Sequence, residues 1–338
     1  MPIRVDTYKT CSFGCKYCFA NYRKIMGFDK QLQVGNIKLV EKKLNNIFDK
    51  GIIKEDNFLD VLISSGYTWH CGGMSDPFQL IEKKLGITKQ LIDITNKYGI
   101  HILFSTKSDT VYDCNINPQL HTFQLSITNI ENRKDIEPNV SGIESRYKFY
   151  KLLKDKGYSV GIRIQPFIPG VTSDKIIDMF FDADNFTIEG LKLVPQNKEH
   201  KNYLLSLTGL KSEDFTQMGL LNLKPEIRKK LYEPFIKKLK EYNISYSIAD
   251  NDMHQYGTNK CCCGDRLVYR STDFNNTAMI QKYGIDYTKE QLDEELFNCG
   301  VRDCKCNHLF TSNRQEGCIF VQDFYDKRFY RKSSVMYH

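Results

Sequence analysis

The stretch Thr10–Phe19 reads T-C-S-F-G-C-K-Y-C-F and sets three thiols, Cys11, Cys15 and Cys18, within one short loop. Thiols this close can all be brought to one inorganic centre. Cysteine is the thiolate donor to iron–sulfur clusters, and a four-iron cluster takes four ligands, so three protein thiolates would leave one iron open. The competing reading is a structural zinc knuckle. Zinc sites usually draw paired C-x2-C units from two loops, and by that count Cys11 stands unpaired.

On either side of this loop the apolar pattern alternates between strand and helix. Residues 2–8 read as a short strand, 36–50 as a lysine-rich helix and Asn57–Ser65 as an apolar strand ended by Gly66. A helix at 80–98 is followed by strands at Ile100–Thr106 and Phe123–Thr128. The helix Gly142–Lys156, the strand Ser159–Pro166, a helix near 173–183 and the strand Thr187–Val194 complete the series. Strands separated by helices in this way predict parallel βαβ units, and six of them suit a curved parallel sheet with its active residues at the C-terminal strand ends. One further helix is expected at Pro225–Tyr242.

A chain of 338 residues has room for one α/β domain of about 200–250 residues and a smaller appendage. An apolar share of 41% builds a core, and no stretch has the length of a membrane span. The first residues, M-P-I-R-V-D-T-Y, carry no apolar signal, which predicts a cytoplasmic protein. In that setting twelve cysteines argue for metal or redox chemistry rather than a disulfide framework. The net charge of +7 fits a nucleic-acid partner and equally a solvated lysine-rich surface.

After the second predicted strand comes G-Y-T-W-H-C-G-G-M-S-D-P-F-Q, in which Gly72 and Gly73 clear side chains from a tight approach. This segment, the cysteine loop, F-S-T-K-S-D, L-S-I-T-N with Glu137-Pro138-Asn139 and Arg146, and G-I-R-I-Q-P-F-I-P-G follow in order. Together, over about residues 5–195, they resemble the radical S-adenosylmethionine (SAM) superfamily, in its spore photoproduct lyase and photolyase-like branch. The resemblance implies a partial (β/α)6 TIM-like barrel, a [4Fe–4S] cluster on Cys11, Cys15 and Cys18, and SAM on the open iron. Position by position it implies SAM contacts from Gly72, Gly73, Ser75 and Asp76, from Ser105 and Lys107, and from Ser126 and Thr128. Arg163 and Gln165 are implied to face the barrel interior, Arg163 otherwise forming an ion pair with a residue such as Glu144. Cys71 lies two residues earlier than the branch's hydrogen-donor cysteine. It is a candidate for that role, or else a buried inert thiol.

Seven of the twelve cysteines lie beyond residue 260. Adjacent thiols are not expected all to face one metal, so Cys263, out of Cys261-Cys262-Cys263, is joined with Cys299, Cys304, Cys306 and Cys318 as candidate ligands of a second [4Fe–4S] cluster, zinc being the alternative. The composition shift near 243 predicts a barrel over 1–242 and a cysteine-rich metal-binding domain over 243–338. Phe324, Tyr325, Phe329 and Tyr330, interleaved with Lys327, Arg328, Arg331 and Lys332, suit either stacked bases or packing on the core.

The resemblance therefore predicts an enzyme that reductively cleaves SAM to a 5′-deoxyadenosyl radical and abstracts hydrogen from a damaged or modified nucleic-acid base, with flavodoxin or ferredoxin as electron donor. A peptide or small-molecule modifier is the alternative enzyme. A zinc-containing nucleic-acid-binding protein without catalysis is the alternative of another class.

Overall fold

The computed structural model describes residues 3–22, 31–54, 57–218, 220–250, 252–259, 261–270, 279–280, 282–298 and 330–336. Its frame is a seven-stranded sheet: β1 (Ile3–Arg4), β2 (Trp69–Cys71), β3 (Ile102–Thr106), β4 (His121–Ser126), β5 (Val160–Phe167), β6 (Phe186–Gly190) and β7 (Tyr246–Ile248). Every neighbouring pair is parallel, and the order across the sheet is the order along the chain. Successive parallel neighbours need crossovers, and right-handed crossovers curl such a sheet toward a barrel. The partial α/β barrel expected from the sequence is thus the observed fold, with a seventh strand that lies beyond the expected boundary at 242.

Parallel strands are covered on both sides and read as continuous apolar runs; all five residues of β3, I-L-F-S-T, are buried. Side chains alternate between the two faces. Trp69, Phe104, Phe123 and Ile162 pack outward into one core with Leu91 and Ile92 of the helix Ile87–Lys97 and with Phe149 and Leu153 of the helix Ile143–Asp155. Facing inward, His70, Ser105, Gln124 and Thr187 form a hydrogen-bonded chain: His70 Nε2 to Ser105 Oγ at 2.8 Å, Ser105 Oγ to Gln124 Oε1 at 3.2 Å, and Gln124 Nε2 to Thr187 Oγ1 at 3.0 Å. A polar chain therefore runs through the barrel interior across four strands, beside the apolar cluster of Leu103, Leu267 and Val268.

One predicted strand is a helix. Phe58–Ser64 is α-helical, and the side chain of Asn57 caps it by accepting from Leu59 N at 3.1 Å. A short apolar run without clear alternation fits a buried strand or a buried helix equally well. The strand of this unit is Trp69–Cys71, so the rim loop begins only at Gly72. The helix expected over 80–98 is two, Glu82–Leu85 and Ile87–Lys97, divided at the left-handed Gly86.

Smaller sheets flank the barrel. Lys192–Leu193, Leu220–Leu223 and Phe215–Met218 form an antiparallel trio, and Tyr330–Met336 pairs antiparallel with Gln31–Gly35 beside the cysteine loop. Tyr330, Arg331 and Lys332 of the aromatic–basic segment thus lie in a strand, while Phe324, Tyr325, Lys327, Arg328 and Phe329 fall outside the described residues. Among the described residues no helix is long and apolar enough to cross a membrane.

Candidate active site

The cysteine loop follows β1 at the C-terminal rim of the sheet and is held from two sides. Ser12 N donates to Gln79 Oε1 at 2.7 Å and Gln79 Nε2 donates to Thr10 O at 2.9 Å, so one fully buried glutamine holds both sides of Cys11 at the start of the loop. Opposite it, Lys16 N donates to Ile136 O at 2.9 Å and Asn139 Nδ2 to Ser12 O at 2.9 Å. Two distant segments, 76–79 and 136–139, therefore fix where Cys11, Cys15 and Cys18 stand.

Glu137 is the electrostatic centre of the second clamp. It accepts from the Tyr17 hydroxyl, pairs with Lys107 Nζ at 3.1 Å and Arg146 NH2 at 3.7 Å, and accepts from Asn129 Nδ2 at 3.4 Å. Burial opposes its charge, but Lys107 and Arg146 outweigh burial and hold the carboxyl below the usual glutamate range. Lys107 Nζ also reaches Thr128 Oγ1 at 3.3 Å and lies 5.4 Å from the Tyr17 ring centroid.

The glycine segment rests on Asp6. Its carboxylate accepts from Gly72 N at 3.0 Å, Gly73 N at 2.8 Å and Met74 N at 3.1 Å, three amides that a turn would otherwise leave unpaired. Gly72 has φ +103, and a side chain there would run into the carbonyl oxygen of Ser105. Next along, Asp76 is buried and accepts from Thr106 Oγ1 at 2.7 Å, Lys107 N at 2.7 Å and Phe78 N at 3.0 Å. Burial pushes its carboxyl up to about 6 against these donors.

These segments line one half-open cleft at the barrel rim. Cys11, Cys15 and Cys18 line one wall, and Gly72, Gly73, Ser75 and Asp76 another. Ser105, Lys107, Ser126 and Gln165 come from the strand ends, with Lys192 added from the segment after β6. The donor set fits a cluster. Burial raises all three thiols, Cys15 to about 12, so a cationic centre would be needed to ionise them. A tetrahedral zinc with Zn–S of about 2.3 Å would draw its sulfurs to about 3.8 Å apart. The three N-terminal thiols do not all lie within even 4.8 Å of one another, which suits ligands to separate irons.

No family profile matches the chain, and no curated protein matches it in sequence. Solved structures do match. Spore photoproduct lyase complexed with dinucleoside spore photoproduct overlays with TM-score 0.51 at 16% identity, over 72% of this chain and 74% of that one. This is the spore photoproduct lyase fold. A variant of the same lyase with bound AdoMet and dinucleoside spore photoproduct overlays equally, with TM-score 0.51 and 15% identity over 72% and 75% of the two chains. Streptococcus suis SuiB bound to S-adenosylmethionine gives TM-score 0.48 at 13% identity, over 93% of this chain and 68% of that one, too slight a likeness to build on.

Within the spore photoproduct lyase fold, three expected residues sit away from the cleft wall. Thr128 is buried and supports Lys107. Arg163 is in the barrel interior, where it pairs with Glu189 Oε2 at 2.9 Å, donates to Gln124 Oε1 at 3.2 Å and contacts Gln165. Its partner is Glu189 and not Glu144, whose bond runs to Asn132 across the rim. Glu189 also binds Lys192. Cys71 is fully buried in the outer core among Trp69 and Phe104, and burial holds its thiol well above the ordinary range.

Cys261, Cys262 and Cys263 converge in the barrel interior, their three sulfurs within 4.8 Å of one another. The expectation that neighbouring thiols would diverge fails because the chain turns there: Gly264 N donates to Cys261 O at 3.0 Å with Gly264 at φ +93. Cys299, Cys304, Cys306 and Cys318 lie outside the described residues. Asp6 and Gln79 carried no local signal, and Glu137 was visible only as part of a three-residue motif.

Proposed function

We propose that the chain is a radical SAM enzyme acting on a nucleic-acid base. The observation that carries this is the meeting of the Cys11–Cys15–Cys18 loop, the Gly72–Gly73 segment and the strand-end residues Ser105 and Ser126 around one cleft at the barrel rim. Cys11, Cys15 and Cys18 would hold a [4Fe–4S] cluster, which would supply SAM binding and a single electron for reductive cleavage of SAM. The chain's own part is placement. Asp6 holds the glycine amides, Asp76 fixes the end of β3, and Glu137 with Lys107 sets the rotation of the cysteine loop.

Nucleic acid is favoured as substrate by the lyase that shares the fold, whose structure holds a dinucleoside photoproduct, and the net charge of +7 is compatible with it. A second metal centre at Cys263 belongs to the same reading, either a further [4Fe–4S] cluster or zinc. The test is anaerobic. Reconstituted protein reduced in the presence of SAM should release 5′-deoxyadenosine, stimulated by DNA or tRNA and not by peptides. A chain that binds zinc at Cys11, Cys15 and Cys18 and leaves SAM intact would be the non-catalytic binding protein instead.

A further inference from the structure

The interior cysteine trio carries a more specific assignment, which rests on the second-metal part of the reading above and narrows it. We propose that Cys261, Cys262 and Cys263 together bind one thiophilic divalent ion of the zinc type, and that this ion ties the floor of the barrel together. Three sulfurs within 4.8 Å are too tight for separate corners of a cluster, and Cys262 Sγ to Cys263 Sγ is 3.8 Å. That equals the separation of about 3.8 Å imposed by tetrahedral Zn–S bonds of about 2.3 Å.

The surroundings suit thiolates. Cys263 N points at Cys261 Sγ at 3.4 Å, and Arg163 NH1 lies 3.9 Å from Cys263 Sγ. Arg163 pairs with Glu189, which also binds Lys192, so a guanidinium is held facing the sulfurs. Binding releases three protons from three thiols and leaves a divalent ion with three thiolates, a complex of charge −1. The Arg163 guanidinium lies beside that anion, in a setting where an isolated charge is costly.

The loop is also rigidly held before any ion arrives. Gln124 Nε2 of β4 donates to Cys263 O at 2.8 Å, Ser247 Oγ of β7 donates to Cys261 O at 3.0 Å, and Thr122 Oγ1 of β4 donates to Leu267 O at 2.6 Å. One bound ion would therefore link β4 with the last strand of the sheet.

The experiment is Co2+ and Zn2+ titration of the reduced full chain under anaerobic conditions, with C299S/C304S/C306S/C318S substituted so that the later C-terminal thiols cannot answer. About one equivalent of Co2+ should bind with a sulfur-to-metal charge-transfer band, be displaced by Zn2+, and weaken roughly tenfold or more in C262S or C263S. Absence of the band, or binding indifferent to C262S and C263S, overturns the assignment. Should the quadruple variant not fold, alkylation of the unaltered chain decides. Zn2+ should protect the half-buried Cys262 from iodoacetamide, and equal labelling of it with and without Zn2+ overturns the site. Repeating the titration in C11A/C15A/C18A separates the proposals, because binding there upholds this site whatever becomes of SAM cleavage.

Discussion

Lys107 Nζ lies 3.1 Å from Glu137 Oε1, joining the end of β3 to the loop that clamps the three-cysteine segment. Both side chains are largely buried, and the same carboxylate receives the hydroxyl of Tyr17, the residue just before Cys18. The pair therefore couples barrel and cysteine loop through one anion.

Glu137→Gln should destabilise the chain by about 3–5 kcal/mol, the range for a buried ion pair that loses one partner, because Lys107 and Arg146 would keep their charge. Denaturant unfolding measures this, and iron retained after reconstitution should fall alongside. Since the Glu137 carboxyl is held below its ordinary range, its contribution is present above the unfolded pKa of about 4.5 and is lost as pH falls through the folded value. The difference between wild type and Glu137→Gln should therefore shrink below about pH 4.

Asp76 should show the opposite sign. Its carboxyl is raised to about 6 in the fold, so protonated Asp76 favours folding and that contribution disappears as pH rises from about 4 to 6. Metal-free wild type should lose stability across this window, by about 3 kcal/mol for a shift of this size, whereas Asp76→Asn should give a flatter curve. Thermal unfolding at several pH values tests it, and parallel curves would contradict it.

Gly72→Ala should disable the cleft more than its size suggests. The added methyl meets the Ser105 carbonyl in a backbone region that side chains rarely adopt. SAM binding, read by equilibrium dialysis, should fall by at least about tenfold, with about 1–3 kcal/mol of stability lost to backbone strain. Asp6→Ala should give a related defect by unpairing the amides of Gly72, Gly73 and Met74. Each buried donor left without an acceptor costs about 1–3 kcal/mol.

Cys71→Ala separates packing from chemistry. Its side chain lies wholly within the outer core, so the substitution should lower unfolding stability while 5′-deoxyadenosine release continues at the wild-type rate. Loss of substrate product with deoxyadenosine release intact would restore the hydrogen-donor role.

The strands at 102–106, 121–126 and 160–167 were legible because buried parallel strands write themselves as short apolar runs. The same property misled at Phe58–Ser64, where the run is a helix and the decisive mark was the capping residue Asn57. Motifs gave the cysteine loop and the glycine turn, because their spacing is local. Asp6, Gln79 and Glu137 were hidden, since each works on a segment more than sixty residues away along the chain. Glu189 was missed as the partner of Arg163 because only the parallel register sets β5 beside β6.

The strand pairing of Tyr330–Met336 with Gln31–Gly35 has a consequence for biosynthesis. Gln31–Gly35 leaves the ribosome long before Tyr330–Met336 is made. Until then the early strand offers open backbone groups to any passing chain, the situation that invites misassembly. Closure of this strand pair is thereby a late event in the folding of the chain.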